Sequence, residues 1–517
     1  MTNQNKKAKR EESNTLGSIR NKITSKNMPR FFSLFLALCL ATSSVVVPNT
    51  SVFAAEQPEV DARELLSIKR EEGVLDTTGK YKINEAGAIT EYVGGYDETG
   101  RVTIPEQLTV KDSDGNEVTR TVKGIAKYAF AHDRYDYSDD GDKLVSIAVP
   151  KTVTYISEGA FYGAENLVEV GLLHGIVNID DYAFAGCENL NTIEIPSSVS
   201  HIGRGVFEYC DSLTSIVVPK NSKHYKSDDG VLYELESGKN TPHTLIKYPV
   251  AKKGDSYKIL DGTFSISSYA FDSAKYLKDV TFPDSVRDIE SYAFFGASSI
   301  ENMDIKNVTT LGTGVFSNMT GLTTFKGGNL TEIPAGAFSN CVSLRSISLS
   351  EGITKIGDYA FLNCSNLDNV TIPTSVTHIG AGAFTANSDL KTLSIPDNVT
   401  HIGDSAFSYC INLETVTIPE SVSYIGSGVF GGCNSLTAIK VDKFNKHYTS
   451  DEDGVLFNKT DRGISRTLIQ YPSGREATKY VIPSDVITIN DSAFVDTKLK
   501  EIVAPNGVTN MGAYTFS

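Results

Sequence analysis

The chain has 517 residues, with 48 Lys and Arg against 63 Asp and Glu, seven Cys, no Trp and a formal charge of −15. That acidity excludes nucleic acid as a partner, since phosphate binding needs a basic stripe. The length suits either several ordinary domains or one long repeat array.

Residues 1–30 carry eight basic and two acidic side chains, Phe31 to Val47 form an apolar stretch, and Val52-Phe53-Ala54 offers small or apolar residues at a cleavage point. This order reads as a secretory signal, residues 1–54, removed near Ala54. A membrane anchor fits less well, because the stretch matches only the shortest spanning helices and is interrupted by Ser33 and Thr42-Ser43-Ser44. Leu38 stands where a lipid-attachment pattern before Cys39 would need a small residue. Loss of the leader takes the charge from −15 to about −21. The mature chain, which has no later stretch approaching a transmembrane segment, is expected to be extracellular, secreted or at the cell surface.

Residues 55–119 are expected to form a β-rich N-terminal cap. Tyr81-Lys-Ile and Ala88-Ile-Thr-Glu-Tyr alternate as strands do, and Val110 to Val118 reads as a hairpin turning at Asp114-Gly115. A cap is needed there, since the apolar end of the first coil would otherwise face water.

From residue 120 a period appears. Phenylalanines recur at 130, 161, 184, 207, 271, 294, 316, 338, 361, 384, 407, 430, 494 and 516, mostly 22 or 23 apart. A fixed period of this length marks a solenoid of about 14 coils over residues 120–517. A clean coil reads Leu413, Val416, Ile418, Pro419, Val422, Ile425, Gly426, Phe430, Cys433. No single coil can enclose so few apolar residues, but stacked coils bury each one against its equivalents. Leu413-x-x-Val416-x-Ile418 ends as a period-2 strand, which gives short parallel strands stacked one per coil. The following Pro has no N–H to donate and ends the strand. The slot after Ile425 holds Gly in seven coils but Pro at 334, Asp at 180 and Glu at 290. Pro fixes φ near −65°, so Gly there is expected to relieve crowding between coils and not to supply a left-handed backbone.

The slot three after the anchor ring holds Cys187, Cys210, Cys341, Cys364, Cys410 and Cys433, but also Ala, Met, Asn and Thr elsewhere. Buried thiols are the favoured reading. Disulfides between neighbours 187/210, 341/364 and 410/433 are the alternative in an exported chain. A metal site fits worst, because ligands must converge from several directions.

These residues carry a resemblance. The pattern is similar to the BspA-like class of bacterial leucine-rich repeats, whose turns read Cys-x-x-Leu-x-x-Ile-x-Leu-Pro-x-x-Leu-x-x-Ile-Gly-x-x-Ala-Phe, over roughly residues 120–517. The resemblance implies a β-rich leucine-rich-repeat solenoid and a secreted or cell-surface adhesin that binds host matrix proteins or other cells.

Three departures stand out. Residues 306–330 lose the Pro and are expected to be looser. After Phe207 and after Phe430 the next anchor comes 64 residues later, which places β-hairpin-like insertions at about 220–260 and 443–483. The two insertions match one another: Lys223-His224-Tyr225 with Lys446-His447-Tyr448, Asp229-Gly230-Val231-Leu232 with Asp453-Gly454-Val455-Leu456, and Thr244-Leu245-Ile246-x-Tyr248-Pro249 with Thr467-Leu468-Ile469-x-Tyr471-Pro472. The sequence stops in mid-repeat, at Phe516-Ser517.

Catalytic motifs are not found, and neither enzyme activity nor a cofactor is expected. Asp136-Tyr-Ser-Asp-Asp140-Gly141 begins like a calcium loop, but its twelfth position is Ile147 where a bidentate Glu is required. His201, His378 and His401 share a slot also filled by Tyr and Lys, as an exposed position would be. His224 and His447 read as structural loop residues. The candidate interaction surface is the outward strand row Ser348, Thr371, Ser394, Thr417 and Lys440, flanked by Arg345, Asp368, Lys391 and Glu414. Host or matrix proteins and cell-surface glycoproteins are the expected partners of a monomer. A carbohydrate-binding module, a purely structural surface module or a non-catalytic part of a larger exported enzyme are the competing readings.

Overall fold

The computed structural model describes residues 70–131, 143–459 and 466–516. The leader and the calcium-like stretch at Asp136 to Gly141 lie outside the described residues. Within the described residues the regular structure is strand throughout, arranged as a parallel β-solenoid.

Each coil has three sides. The first carries the expected strand: Thr392–Ser394, Thr415–Ile418 and Ala438–Val441 pair in parallel, with Leu393, Val416 and Ile439 in register and buried. After the proline turn a second strand of two residues follows. Glu332–Ile333, Lys355–Ile356, His378–Ile379, His401–Ile402 and Tyr424–Ile425 form one parallel sheet with every Ile aligned. The third side holds the anchor ring. There, where one coil follows another directly, the amide of the Phe donates to the carbonyl just before the Phe of the next coil, as in Phe161 to Ala183 (2.8 Å), Phe338 to Ala360 (2.8 Å) and Phe361 to Ala383 (2.8 Å). The rings stack nearly flat, with centroids 5.1 Å apart and 1° between planes for Phe161 and Phe184, and 5.2 Å and 3° for Phe338 and Phe361. Burying one such ring contributes about 1.5–3 kcal/mol, and stacking adds to that.

Glycine has two roles here. After the second strand it relieves crowding, as expected: a Cβ on Gly426 would lie 2.5 Å from the Asp404 amide nitrogen, and one on Gly357 2.6 Å from that of Ala335. The left-handed backbone occurs elsewhere, two residues before the ring, where Gly314 (φ 60) alternates between coils with Tyr182 (φ 55) and Tyr359 (φ 55). Tyrosine there accepts a conformation unusual for a side-chain-bearing residue, and its ring covers the next coil's glycine.

Residues 306–330 are regular, contrary to expectation. Asn302–Asp304, Thr324–Lys326 and Ser346–Ser348 pair in register, and Phe325 enters the core 4.6 Å from Phe338. The Lys326 carbonyl accepts the Ile305 amide, so the stacked neighbours hold the coil without the proline.

Each insertion is an antiparallel meander of three strands whose third strand opens a new parallel sheet. The first comprises Tyr225–Asp228, Val231–Leu235 and Pro242–Lys247, and continues into Ser265–Ile266. The second comprises Tyr448–Ser450, Leu456–Asn458 and Arg466–Gln470, and continues into Val486–Ile489. The N-terminal region has the same topology, with Val74–Leu75, Tyr81–Ile83 and Ala88–Tyr92 leading to Gly124–Ile125. The three final strands align residue for residue, and Tyr92, Tyr248 and Tyr471 each stack on the first anchor ring that follows, Phe130, Phe271 and Phe494. Each insertion therefore repeats the N-terminal cap. The hairpin expected at Asp114-Gly115 is present, with Val110 opposite Val118.

The insertions also finish the sheet behind them. The last second-side strands before them, His201–Ile202 and Tyr424–Ile425, have the Ile202 and Ile425 amides capped by the Tyr225 and Tyr448 hydroxyls, each at 2.8 Å.

Candidate functional site

All nine residues of the candidate surface are exposed. Ser394, Thr417 and Lys440 lie side by side in one parallel sheet, and the Lys391 carbonyl accepts the Glu414 amide at 3.1 Å. Ser348 belongs to a different three-stranded sheet, beside Lys326. The coil of Asp368 and Thr371 has no assigned strand between the two, although Val370 and Ile372 still point inward. The row is thus two short ladders separated by one irregular coil.

His378 and His401 are exposed and stacked, with ring centroids 4.5 Å apart, and Tyr424 continues the column at 5.7 Å. Partial burial and the neighbouring His401 and Lys355 lower the His378 pKa. At the insertions, the His224 carbonyl accepts the Leu235 amide (2.8 Å) and the His447 carbonyl the Lys459 amide (2.6 Å), while both side chains stay exposed. Their shared duty is carried by the main chain. A polar groove of about 400 Å³ lies beside the second insertion, lined by Asp397, Glu420, Ser421, Asp442, Lys446 and His447. Among the described residues no group of three metal-ligating side chains converges.

The six cysteines are buried thiols. Each donates to the carbonyl of the anchor Phe one coil back, as Cys364 does to Phe338 (3.1 Å) and Cys433 to Phe407 (3.2 Å). Asn387 fills the slot in the same way, its amide donating to Phe361 and Phe384. Small size accounts for the alanines in the slot, and this hydrogen bond accounts for its cysteines. Burial pushes the Cys210 and Cys410 thiols up to about 12, which removes the thiolate needed for reactivity at neutral pH.

One group was missed by sequence reasoning. Glu208, Lys247 and Asp272 are all buried, at 7%, 4% and 3% exposure. Glu208 and Asp272 each follow an anchor ring directly, Phe207 and Phe271, and Lys247 directly precedes Tyr248 in the insertion between them. The Lys247 ammonium donates to the Asp272 carboxylate and, at 3.0 Å, to the Tyr269 carbonyl. Burial, with the Asp272 charge nearby, pushes Glu208 up to about 8 against the pull of Lys247. Burial likewise raises Asp272, with Lys247 opposing. The available signal was the one unmatched position in Thr-Leu-Ile-x-Tyr, where the second insertion has Gln470.

With this geometry established, the sequence profile of the BspA type leucine rich repeat region matches residues 123–229, 252–364, 331–451 and 472–517, more than half of the chain. The chain belongs to the BspA-type leucine-rich-repeat family. The two stretches left between the BspA-type matches, 230–251 and 452–471, fall inside the two insertions. Solved structures of similar fold include a leucine-rich repeat protein from Eubacterium ventriosum, 23% identical, covering 59% of this chain and 93% of its own with a TM-score of 0.46. A leucine rich cell surface protein from Faecalibacterium prausnitzii is 25% identical over 65% of this chain and 96% of its own, with a TM-score of 0.37. One from Bacteroides ovatus is 21% identical over 87% and 92%, also with a TM-score of 0.37. No curated protein matches the chain. None of the described helices is long and apolar enough to cross a membrane, since the described residues contain none.

Proposed function

We propose that this BspA-type chain is exported, loses its leader near Ala54, and acts outside the cell as a non-enzymatic adhesin that binds host or matrix proteins or other cells through its solenoid face. The observation that carries the reading is the register of Ser394, Thr417 and Lys440, with Lys391 and Glu414 beside them. Hydroxyls and opposite charges are held on strands paired in register from coil to coil. Repeat proteins use such extended surfaces for partners, and side chains on rigid strands are pre-organised for binding. The charges here are mixed, which suits a polar protein surface better than a phosphate backbone.

The test is capture of the mature protein by immobilised host matrix glycoproteins, with charge reversals Arg345→Glu, Lys391→Glu and Glu414→Lys. Capture that weakens about tenfold or more in the combined variant, with its circular-dichroism spectrum unchanged, supports the reading. Capture that is insensitive to all three substitutions places the contact elsewhere. Binding to a glycan array in the absence of protein ligands would move the chain to the carbohydrate-binding class. Amino-terminal sequencing of the exported protein checks the cleavage near Ala54.

A further inference from the structure

The fold does not require the charges at the first insertion. The second insertion builds the same three strands and the same entry into the solenoid with Gly431, Gln470 and Val495 in place of Glu208, Lys247 and Asp272. Gln470 donates to the carbonyls of Ser492 (3.3 Å) and Ala493 (3.2 Å), so a neutral amide reaches the carbonyl at Ser492 whose equivalent, Tyr269, the ammonium meets in the first. At the N-terminal cap the equivalent residue is Glu91, a partly exposed partner of Lys82 and Arg70. Burying three ionisable groups costs several kcal/mol each before pairing, and all three are absent together where one is absent. They act as a unit.

An amine held against a carboxyl in a water-excluded core, with the buried Glu208 carboxyl feeling the charge of both, is the arrangement for amide formation. We propose that the Lys247 side chain and the Asp272 side chain condense to an intramolecular isopeptide bond, with Glu208 as the proton carrier. In the step, one proton of the Lys247 ammonium passes to the Asp272 carboxylate, and the neutral amine nitrogen so formed attacks Cγ of the resulting neutral acid. One C–O bond of that carboxyl breaks, and the oxygen leaves as water carrying both protons lost from nitrogen. The product is a secondary amide, no oxidant or co-reactant is consumed, and Glu208 ends in the state in which it began. The elevated Asp272 and Glu208 pKa values favour the neutral carboxyl and the proton-bearing carrier. Permanent contact between amine and carboxyl supplies the effective concentration.

The bond would tie the last strand of the insertion, Pro242–Lys247, to the coil that follows it. Here the continuous core is interrupted: one cluster of buried side chains ends at Val218, Tyr225 and Leu232, and the next begins at Val231 and Tyr233. The cross-link would sit at the joint between the two.

The test is intact mass of the whole exported protein under denaturing conditions. The expected result is a mass about 18 Da, one water, below that of the leaderless sequence, with a branched tryptic peptide joining residues 240–252 to residues 259–275. Lys247→Met and Asp272→Ala should each restore the full mass. Glu208→Gln should also restore it while keeping the wild-type circular-dichroism spectrum, which separates a proton-carrying role from a packing one. A wild-type chain at full mass, with linear peptides cleaved after Lys247, overturns the bond. Water loss that persists in Glu208→Gln overturns the assignment of the carrier.

Discussion

At the first insertion the interior holds Glu208, Lys247 and Asp272, whereas at the second the same places hold Gly431, Gln470 and Val495, on a chain path that otherwise matches strand for strand. Other differences are compensated locally. Tyr233 and Tyr257 share a hydrogen bond of 2.7 Å in the first insertion. In the second, Phe457 has no hydroxyl to offer, and Tyr480 turns to the Asp451 carboxylate at 2.8 Å instead. The trio has no such local substitute, because a buried amine requires its carboxyl partners and they require it. The comparison teaches that the meander, its Asp-x-x-Gly or Asp-Gly turn and its closing tyrosine are the structural device, while the charges were added to one copy of it.

Exchanging the two interiors should break this comparison most severely. Lys247→Gln alone leaves two buried carboxyls without their cation, and Gln470→Lys buries an ammonium among neutral neighbours; each is expected to lose about 3–5 kcal/mol in urea unfolding. The triple exchange Glu208→Gly, Lys247→Gln, Asp272→Val should recover the part of the first loss that comes from unpaired carboxyls, and not the part that comes from the missing cross-link. A triple variant no more stable than the single one would mean the charges are coupled to more than each other.

A smaller effect, equal at both insertions, is expected from the edge caps. Tyr225→Phe and Tyr448→Phe each leave a buried amide, Ile202 or Ile425, without its acceptor, at a loss of about 1–3 kcal/mol. Faster hydrogen exchange confined to those amides and their neighbours is the measurement; a change at only one of the two would show that the insertions do not share this duty.

The pH dependence should distinguish the insertions again. The folded-state pKa of Glu208 is raised from 4.5 to about 8, so its contribution is fully present below about pH 4.5 and is lost as the pH rises through 8. Thermal midpoints should fall over that range in the wild type and fall less in Glu208→Gln. Gly431 leaves the second insertion without a counterpart. The smallest effect is expected at the thiols: Cys210→Ala and Cys433→Ala, one at each insertion, should lose about 1 kcal/mol or less, since Ala274 and Ala297 fill the same slot natively.

Much of what recurs was legible in the sequence. The phenylalanine period, the inward Leu, Val and Ile positions, the crowded glycines and both insertions appear because each coil must present the same residue to its neighbour. The second strand of each coil was not, since two residues such as Lys355-Ile356 carry no alternation to read. The left-handed tyrosines were hidden as well, because Tyr182 and Tyr359 are residues that propensity assigns to strands. The kinship of the N-terminal cap with the insertions rests on Ala88-Ile-Thr-Glu-Tyr92 against Thr244-Leu-Ile-Lys-Tyr248, where few side chains are identical and only the pairing makes the equivalence plain. Glu208, Lys247 and Asp272 were invisible for the opposite reason: they occur once, and their proximity is created by the stacking of three separate segments.

The ring-bearing side of the coils has a directional backbone. Its amides that bridge coils point forward along the chain, from Phe161 to Ala183, Phe184 to Val206, Phe294 to Val315 and Phe407 to Val429, while those between them close turns within the coil. In an ordinary sheet such dipoles largely cancel, but here they add from coil to coil, as they do along a helix. The ring-bearing side of each run therefore carries a polarity along the coils, positive at the end toward which its bridging amides point, while the second side opposes it, with Gly380 donating back to Ile356 and Gly403 back to Ile379.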